Sequence, residues 1–280
     1  MTIHLTEFST GFDHAEGVCW EPNAGRFYAG GEAGQVYAVQ LDGTMAKVAD
    51  TGGFNLGIAA DGDGRLYLCD TGRRAFLRVD PRTGMVEPVS DGTPDRHMRS
   101  PNWPVFRPDG TALVTDSGTW RGADGHVWRI RPDGTTDVWT EATARFPNGA
   151  ALAPDGSALY VVESNLPGVT VVPIGPAGSA GAARVFVQLP GSVPDGVAFT
   201  ADGRLLVACY TPDRIYIVDQ SGRAEILVED DLSVELSSPT NLAFGGRGLD
   251  LLISANLGRW HLTKVDAGLR GSPLSRPVLG

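Results

Sequence analysis

Six positions in this 280-residue chain share a chemical type and a regular spacing. Glu16, Asn55, Asn102, Asn148, Asp195 and Asn241 follow one another at intervals of 39, 47, 46, 47 and 46 residues. All six side chains end in oxygen donors, two carboxylates and four carboxamides. A single Asn-Gly or Asp-Gly would cap its own turn, because these side chains bond nearby backbone. Six oxygen-bearing residues at one repeat position instead point to a common target. Hard oxygen donors suit Ca²⁺, Mg²⁺ or Mn²⁺ better than a thiolate-loving ion. Two carboxylates brought to one narrow place also call for a positive charge between them. The chemistry expected there is that of a bound divalent ion, which polarises a carbonyl or phosphoryl oxygen and lowers the pKa of water.

Positioning six such residues requires a repeated element, and the chain contains one. Short apolar runs recur twelve residues after each position, among them Arg65-Leu-Tyr-Leu-Cys69, Ala158-Leu-Tyr-Val-Val162 and Arg204-Leu-Leu-Val-Ala208. Most follow an Asp-Gly pair: Asp63-Gly64, Asp109-Gly110, Asp155-Gly156 and Asp202-Gly203. Asp-Gly between alternating runs is a strong hairpin signal, since glycine accepts the positive φ of the turn. A second strand set follows, as in Gly34-Gln-Val-Tyr-Ala-Val39 and His126-Val-Trp-Arg-Ile130, then a shorter one such as Thr135-Thr-Asp-Val-Trp139. Four strands per unit, six units and no helical period predict an all-β, six-bladed β-propeller spanning residues 1–280 as one domain. Gly271 to Gly280 define an outer strand for the last blade poorly, so the N-terminal strand, roughly Thr2 to Phe8, is expected to close the ring. The six positions would then converge on one mouth of the central channel.

Composition agrees with this reading and excludes others. With 37 glycines and 19 prolines the chain suits many short strands and tight turns. A net charge of −10 disfavours nucleic acid and anionic membrane as partners. No stretch is long and apolar enough to span a bilayer, and the first eight residues lack a signal-peptide pattern. Cys19, Cys69 and Cys209 sit in apolar strand-like segments and read as reduced core residues of a cytoplasmic protein.

Several motifs together resemble the gluconolactonase, regucalcin and luciferin-regenerating-enzyme family: Ala15-Glu-Gly-Val18, Phe146-Pro-Asn-Gly149, Val193-Pro-Asp-Gly-Val-Ala-Phe199 and Asn241-Leu-Ala-Phe-Gly-Gly246. The resemblance runs blade by blade over essentially the whole chain and implies a six-bladed propeller. It also implies metal-dependent hydrolysis of lactones, often sugar lactones. Its metal ligands would fall on Glu16, Asn148 and Asp195, with Asn102 close to the ion or substrate. Ca²⁺ is the first expectation for the ion, and Zn²⁺, Mn²⁺, Mg²⁺ or Fe²⁺ are also compatible. Sugar-lactone members carry Asn-Asp-Gly at the blade-three mouth, where this chain has Asn102-Trp103-Pro104. That exchange removes an acidic group and adds an apolar ring, so a substrate more apolar than an aldonolactone is expected. An arginine two residues before that asparagine is missing as well; Arg99 is three before.

Within such a site Asp195 is the best candidate for general base or nucleophile, since a ligating carboxylate can present its second oxygen to water. Glu16 would balance charge, and Asn102 and Asn148 would be neutral ligands or orient the substrate. Asn55, Asn241, Trp103, Trp120, Tyr210, His97 and Glu163 are candidates to line the substrate pocket, the two tryptophans as a shared wall. Asp70, Asp116 and Asn256 recur at the same place as Glu163; for Asp70 and Asp116 capping of strand ends is the favoured role. His14 and His97 are placed to reach the mouth, whereas His126 and His261 begin strands. Ser117 lacks an identifiable base, which argues against a serine-hydrolase triad. Two alternatives remain: a metal-dependent phosphotriesterase or a lyase or isomerase acting on a biosynthetic intermediate, and a non-enzymatic ligand-binding propeller with a structural metal.

Overall fold

The computed structural model describes residues 3–279. Among them stand six sheets of four antiparallel strands, one per expected repeat. Blade 1 runs outward from the axis through Val18–Glu21, Arg26–Gly30, Gln35–Val39 and Met45–Asp50. The innermost strands of blades 2 to 6 are Asn55–Ala60, Pro101–Phe106, Pro147–Leu152, Val193–Phe199 and Pro239–Gly245. Each innermost strand packs on the next, and Pro239–Gly245 packs on Val18–Glu21, so the ring closes. Blade 6 takes its outer strand from the N-terminus, His4–Thr10, paired with His261–Asp266. Thr2, part of the expected closing strand, lies outside the described residues.

The Asp-Gly hairpins form as their chemistry requires. Gly64, Gly110, Gly156 and Gly203 all hold φ between 73° and 87°. Asp109 and Asp155 accept the backbone N–H two residues on, from Thr111 at 3.0 Å and Ser157 at 2.9 Å. Between the blades the apolar faces of adjacent sheets interdigitate. One such layer joins Trp103, Leu113, Val127 and Trp139 of blade 3 to Ala150, Leu159 and Val161 of blade 4. Cys19, Cys69 and Cys209 are unpaired and buried in these layers, and burial pushes the Cys209 thiol up to about 12.

The C-terminal stretch supplies no strand to blade 6. After Asp266 it crosses the end of the propeller remote from the six oxygen-bearing positions. The N–H of Ser272 donates to the Phe199 carbonyl of blade 5 at 2.9 Å. Arg276 pairs with the buried Glu21 of blade 1 at 3.0 Å. The N–H of Gly62 in blade 2 donates to the Pro277 carbonyl at 2.8 Å, and Leu279 packs on the blade-3 layer that holds Phe106. A second element without a sequence signal is the short arm Gly92–Thr93 paired with Arg96–His97, between blades 2 and 3. Among the described residues no helix is long and apolar enough to cross a membrane.

Candidate metal centre and active site

The six positions do come to one end of the ring, and the backbone there is irregular in a repeated way. In blades 2 to 6 the pairing of the two inner strands slips just at the oxygen-bearing residue. The slips fall between Asn55 and Ile58, Pro101 and Pro104, Pro147 and Ala150, Pro194 and Val197, and Pro239 and Asn241. Such bulges re-aim a side chain out of the alternation of the sheet. They also make room for Pro101, Pro147 and Pro194, which cannot donate to a ladder. The glycine that follows serves the axis rather than a turn. A Cβ on Gly149 would stand 2.6 Å from the Asp195 carbonyl oxygen, so only glycine lets blades 4 and 5 approach this closely.

Five of the six residues bring a buried oxygen that no protein donor satisfies: Glu16 Oε2, Asn102 Oδ1, Asn148 Oδ1, Asp195 Oδ1 and Asn241 Oδ1. Buried polar atoms are nearly always bonded, so five orphans at one end of one channel need a common partner. The amide of Asn148 is oriented by its neighbours. Ser164 Oγ donates to the Pro194 carbonyl at 2.7 Å and therefore accepts from Asn148 Nδ2 at 3.2 Å, which turns the Asn148 oxygen away from Ser164. Burial holds the Asp195 carboxyl well above the usual carboxylate range, and Glu16 beside it adds to the rise. Burial likewise pushes Glu16 up to about 8, opposed by the Thr240 hydroxyl and reinforced by Glu32. Two acids held protonated, with free oxygens among carboxamide oxygens, fit a divalent cation with oxygen ligands. Among the described residues no three His, Cys, Asp or Glu side chains gather as a metal cluster. The donor set at the axis is two carboxylates with carboxamides.

The sixth position departs from expectation. Asn55 accepts from Thr51 Oγ1 at 3.1 Å and donates to the Gln35 carbonyl at 3.1 Å, so it ties blade 2 to blade 1 and has no free oxygen. Asn241 keeps its free oxygen but lies against the Gly196 backbone, and its Nδ2 donates to the Glu16 carbonyl at 3.3 Å. Glu16, Asn102, Asn148 and Asp195 retain 4–6% exposure, against 0% for Asn55 and 1% for Asn241.

Other expected pocket residues are placed differently. Trp103 follows a ring position yet is buried and packs in the layer between blades 3 and 4, where it serves the core. At the bulge between Pro101 and Pro104, Asn102 keeps a buried, unsatisfied oxygen while Trp103 joins the sheet stack. Glu163 is likewise buried. Its oxygens accept the Arg145 N–H at 2.9 Å and the Thr170 hydroxyl. Asp70 and Asp116 play the same part, binding the N–H groups of Phe54 and Ser100, each at 2.9 Å. These acids fix the backbone one to three residues before a ring residue. His97 sits on the exposed arm facing Asp91 at 3.8 Å, and that arm lies against Thr136–Thr140, the outer strand of blade 3. Trp120 and Tyr210 are exposed on the ring face, and Trp120 packs on Phe146 rather than Trp103. His14 stands between Asp13 at 3.3 Å and Glu32 at 3.5 Å. Ser117 donates to the Pro147 carbonyl at 2.8 Å and is structural. Sequence reasoning missed the hydroxyls that join blades beside the ring. Thr115 binds the Asn148 carbonyl at 2.7 Å, Ser164 that of Pro194, and Thr240 that of Glu16 at 2.7 Å. For Thr115 and Ser164 the signal was a Ser or Thr near the end of the second strand, whereas Thr240 opens the innermost strand of blade 6.

Residues 4–255 match a family model described as the SMP-30/gluconolactonase/LRE-like region. A gluconolactonase of Zymomonas mobilis subsp. mobilis is 30% identical over 220 residues, which are 71% of this chain and 60% of that protein. The chain thus spans about 60% of the length of that relative. A solved gluconolactonase from Xanthomonas campestris superposes with a TM-score of 0.82 at 23% identity, covering 95% of this chain and 89% of its own. A solved calcium-binding protein, regucalcin from Agrobacterium tumefaciens, gives 0.78 at 18% identity over 95% of both chains. At these identities the two structures speak to the fold.

Proposed function

The chain belongs to the SMP-30/gluconolactonase/LRE-like family, and from that premise we propose that it hydrolyses a lactone at the ring of oxygens. Glu16, Asn102, Asn148 and Asp195 would hold one divalent cation, with Ca²⁺ the first choice. The observation that carries this reading is the set of buried, unsatisfied oxygens at equivalent positions of successive blades. The likeness to a gluconolactonase supports the substrate class, and the likeness to a calcium-binding protein supports the ion.

When bound, the cation supplies a Lewis acid that polarises the lactone carbonyl and stabilises charge developing on its oxygen. Asp195 is the residue that moves the proton. Its carboxyl resists ionisation while buried beside Glu16, and becomes a competent base only when positive charge at the ring offsets both acids. Ionised, it takes a proton from the attacking water and returns it to the lactone ring oxygen as the acyl–oxygen bond breaks. Alternatively it attacks the carbonyl itself, breaking that bond to leave an anhydride that water then hydrolyses. Glu16 balances charge. Asn148, locked through Ser164, presents its oxygen in a fixed direction, and the Asn102 carboxamide completes the set from blade 3. The bulged backbone and the acids that cap it hold these groups before substrate arrives.

The test is acid release from a panel of sugar and alkyl lactones by chelator-stripped protein, with each divalent metal restored in turn. Turnover that returns with metal and is lost in Asp195→Asn supports the reading. Turnover of no lactone by protein that binds the metal tightly would sink it.

A further inference from the structure

The two acids of the ring are held in different ways. Asp195 lies within the innermost strand of blade 5, where Pro194 before it and Val197 after it are both paired to the neighbouring strand. Asn102 and Asn148 are framed likewise, by Pro101 and Pro104 in blade 3 and by Pro147 and Ala150 in blade 4. Glu16 has no such frame. The innermost strand of blade 1 starts only at Val18, and the chain from Gly11 to Glu16 belongs to no strand. On its own blade the Glu16 N–H donates to the Gly30 carbonyl at 3.3 Å.

Blade 6 supplies the missing hold. In blades 3 to 5 the strand slip leaves the ring residue itself unpaired, Asn102, Asn148 or Asp195. In blade 6 Pro239 pairs with Asn256 and Asn241 with Ala255, so the unpaired residue is Thr240. A bulge re-aims the side chain it carries. Here Thr240 Oγ1 donates to the Glu16 carbonyl at 2.7 Å, and Asn241 Nδ2 donates to the same carbonyl at 3.3 Å. Among the described residues no other ring carbonyl receives two side-chain donors; that of Asn148 receives one, from Thr115. Thr240 and Asn241 are both buried, so water does not compete for this carbonyl. The bond to Glu16 also orients the Asn241 amide, since a carbonyl accepts from its nitrogen and not from its oxygen. The oxygen faces blade 5, where a Cβ on Gly196, next to Asp195, would stand 2.3 Å from it. The amide thus lies along the ring between the two acids. Without these bonds, repulsion between the acids would carry Glu16 outward on its loop.

We infer that Thr240, with Asn241 as a second donor, is a positioning residue of the ring: it holds Glu16 at the place from which its carboxylate reaches the cation, and neither residue ligates the ion. This rests on the metal centre of the proposed function and deepens it.

Calorimetric titration of the chelator-stripped protein with Ca²⁺ decides the matter. Thr240→Val keeps the shape of the side chain and loses the hydroxyl, and is expected to weaken Ca²⁺ binding about tenfold. Thr240→Ser restores the donor and should bind within about twofold of the parent. A role in packing alone would give the reverse order, because valine keeps the methyl group that serine lacks. Thr115→Val removes the same kind of bond from Asn148, which its own strand frames, and should cost less than Thr240→Val. Asn241→Ala should also cost less, in keeping with its longer bond. Parental affinity in Thr240→Val, or no recovery in Thr240→Ser, overturns the inference. So does an equal loss in Thr115→Val, or a larger loss in Asn241→Ala, which would make Asn241 a ligand. If Thr240→Val does not fold, Asn241→Ala decides alone: weakened binding supports the inference and parental affinity overturns it. A parent protein that binds no Ca²⁺ overturns the metal centre itself, whereas the other contrary results leave that centre standing.

Discussion

At the scale of single residues, Glu16 and Asp195 are two acids with no cationic side chain between them. Burial makes them hold protons that solvent-exposed carboxyls would release. The sign of the resulting pH dependence follows directly. An unfolded Glu ionises near 4.5, whereas Glu16 in the folded, metal-free chain holds its proton up to about 8. The folded state therefore binds more protons in between, and metal-free stability should fall as pH rises from 4.5 to about 8. Metal binding needs the carboxylate, so affinity should tighten across the same window with release of a proton. Melting curves against pH, with chelator and with Ca²⁺, check both: the gap between them should widen toward pH 8, and a constant gap would contradict the assignment. Asp195→Asn should cut kcat about a thousandfold if the carboxylate moves the proton, measured by acid release. The ring itself was legible because oxygen-bearing residues at a fixed interval survive any detail of side-chain direction. What Asn55 and Trp103 do was not legible. Thr51 and Gln35 take up the Asn55 amide, and packing between blades 3 and 4 takes the Trp103 indole, through contacts no spacing encodes.

At the scale of elements, the bulged inner strand is the device that turns a strand residue toward the axis. A bulge is a relation between two strands, so the sequence of one strand does not announce it. The hairpins were legible for the converse reason: Asp-Gly writes its turn within four residues. The motif glycines after ring residues looked like turn formers and proved to be points of close approach. Gly149→Ala should therefore destabilise the fold by about 1–3 kcal/mol, measured by denaturant unfolding, because the Asp195 backbone has nowhere to move. Ser164→Ala is a milder test of the same region. It frees the Asn148 amide to rotate, and should weaken metal binding about tenfold while leaving the fold intact. Unchanged affinity in that variant would mean that Asn148 needs no orientation.

At the scale of the whole molecule, two closures hold the ring. The N-terminal strand, legible from the missing fourth strand of blade 6, seals the circle of sheets. The C-terminal strap joins blades 5, 1, 2 and 3 at the far end, and it was not legible, since it acts through backbone bonds and one ion pair without periodicity. Arg276→Ala leaves Glu21 buried without its cation and should cost roughly 1–3 kcal/mol of stability by denaturant melt, with lactone turnover retained at permissive temperature. The proposed cation would tie blades 1, 3, 4 and 5 together at the opposite end, so a saturating ion should also raise the melting temperature. The most direct measurement is calorimetric titration of chelator-stripped protein with Ca²⁺, comparing the parent, Glu16→Gln with Asp195→Asn, and Asn55→Ala. One ion per chain is expected in the parent, with binding abolished by the double change and retained in any folded Asn55→Ala protein. Full binding in the double variant would contradict a metal centre at this ring.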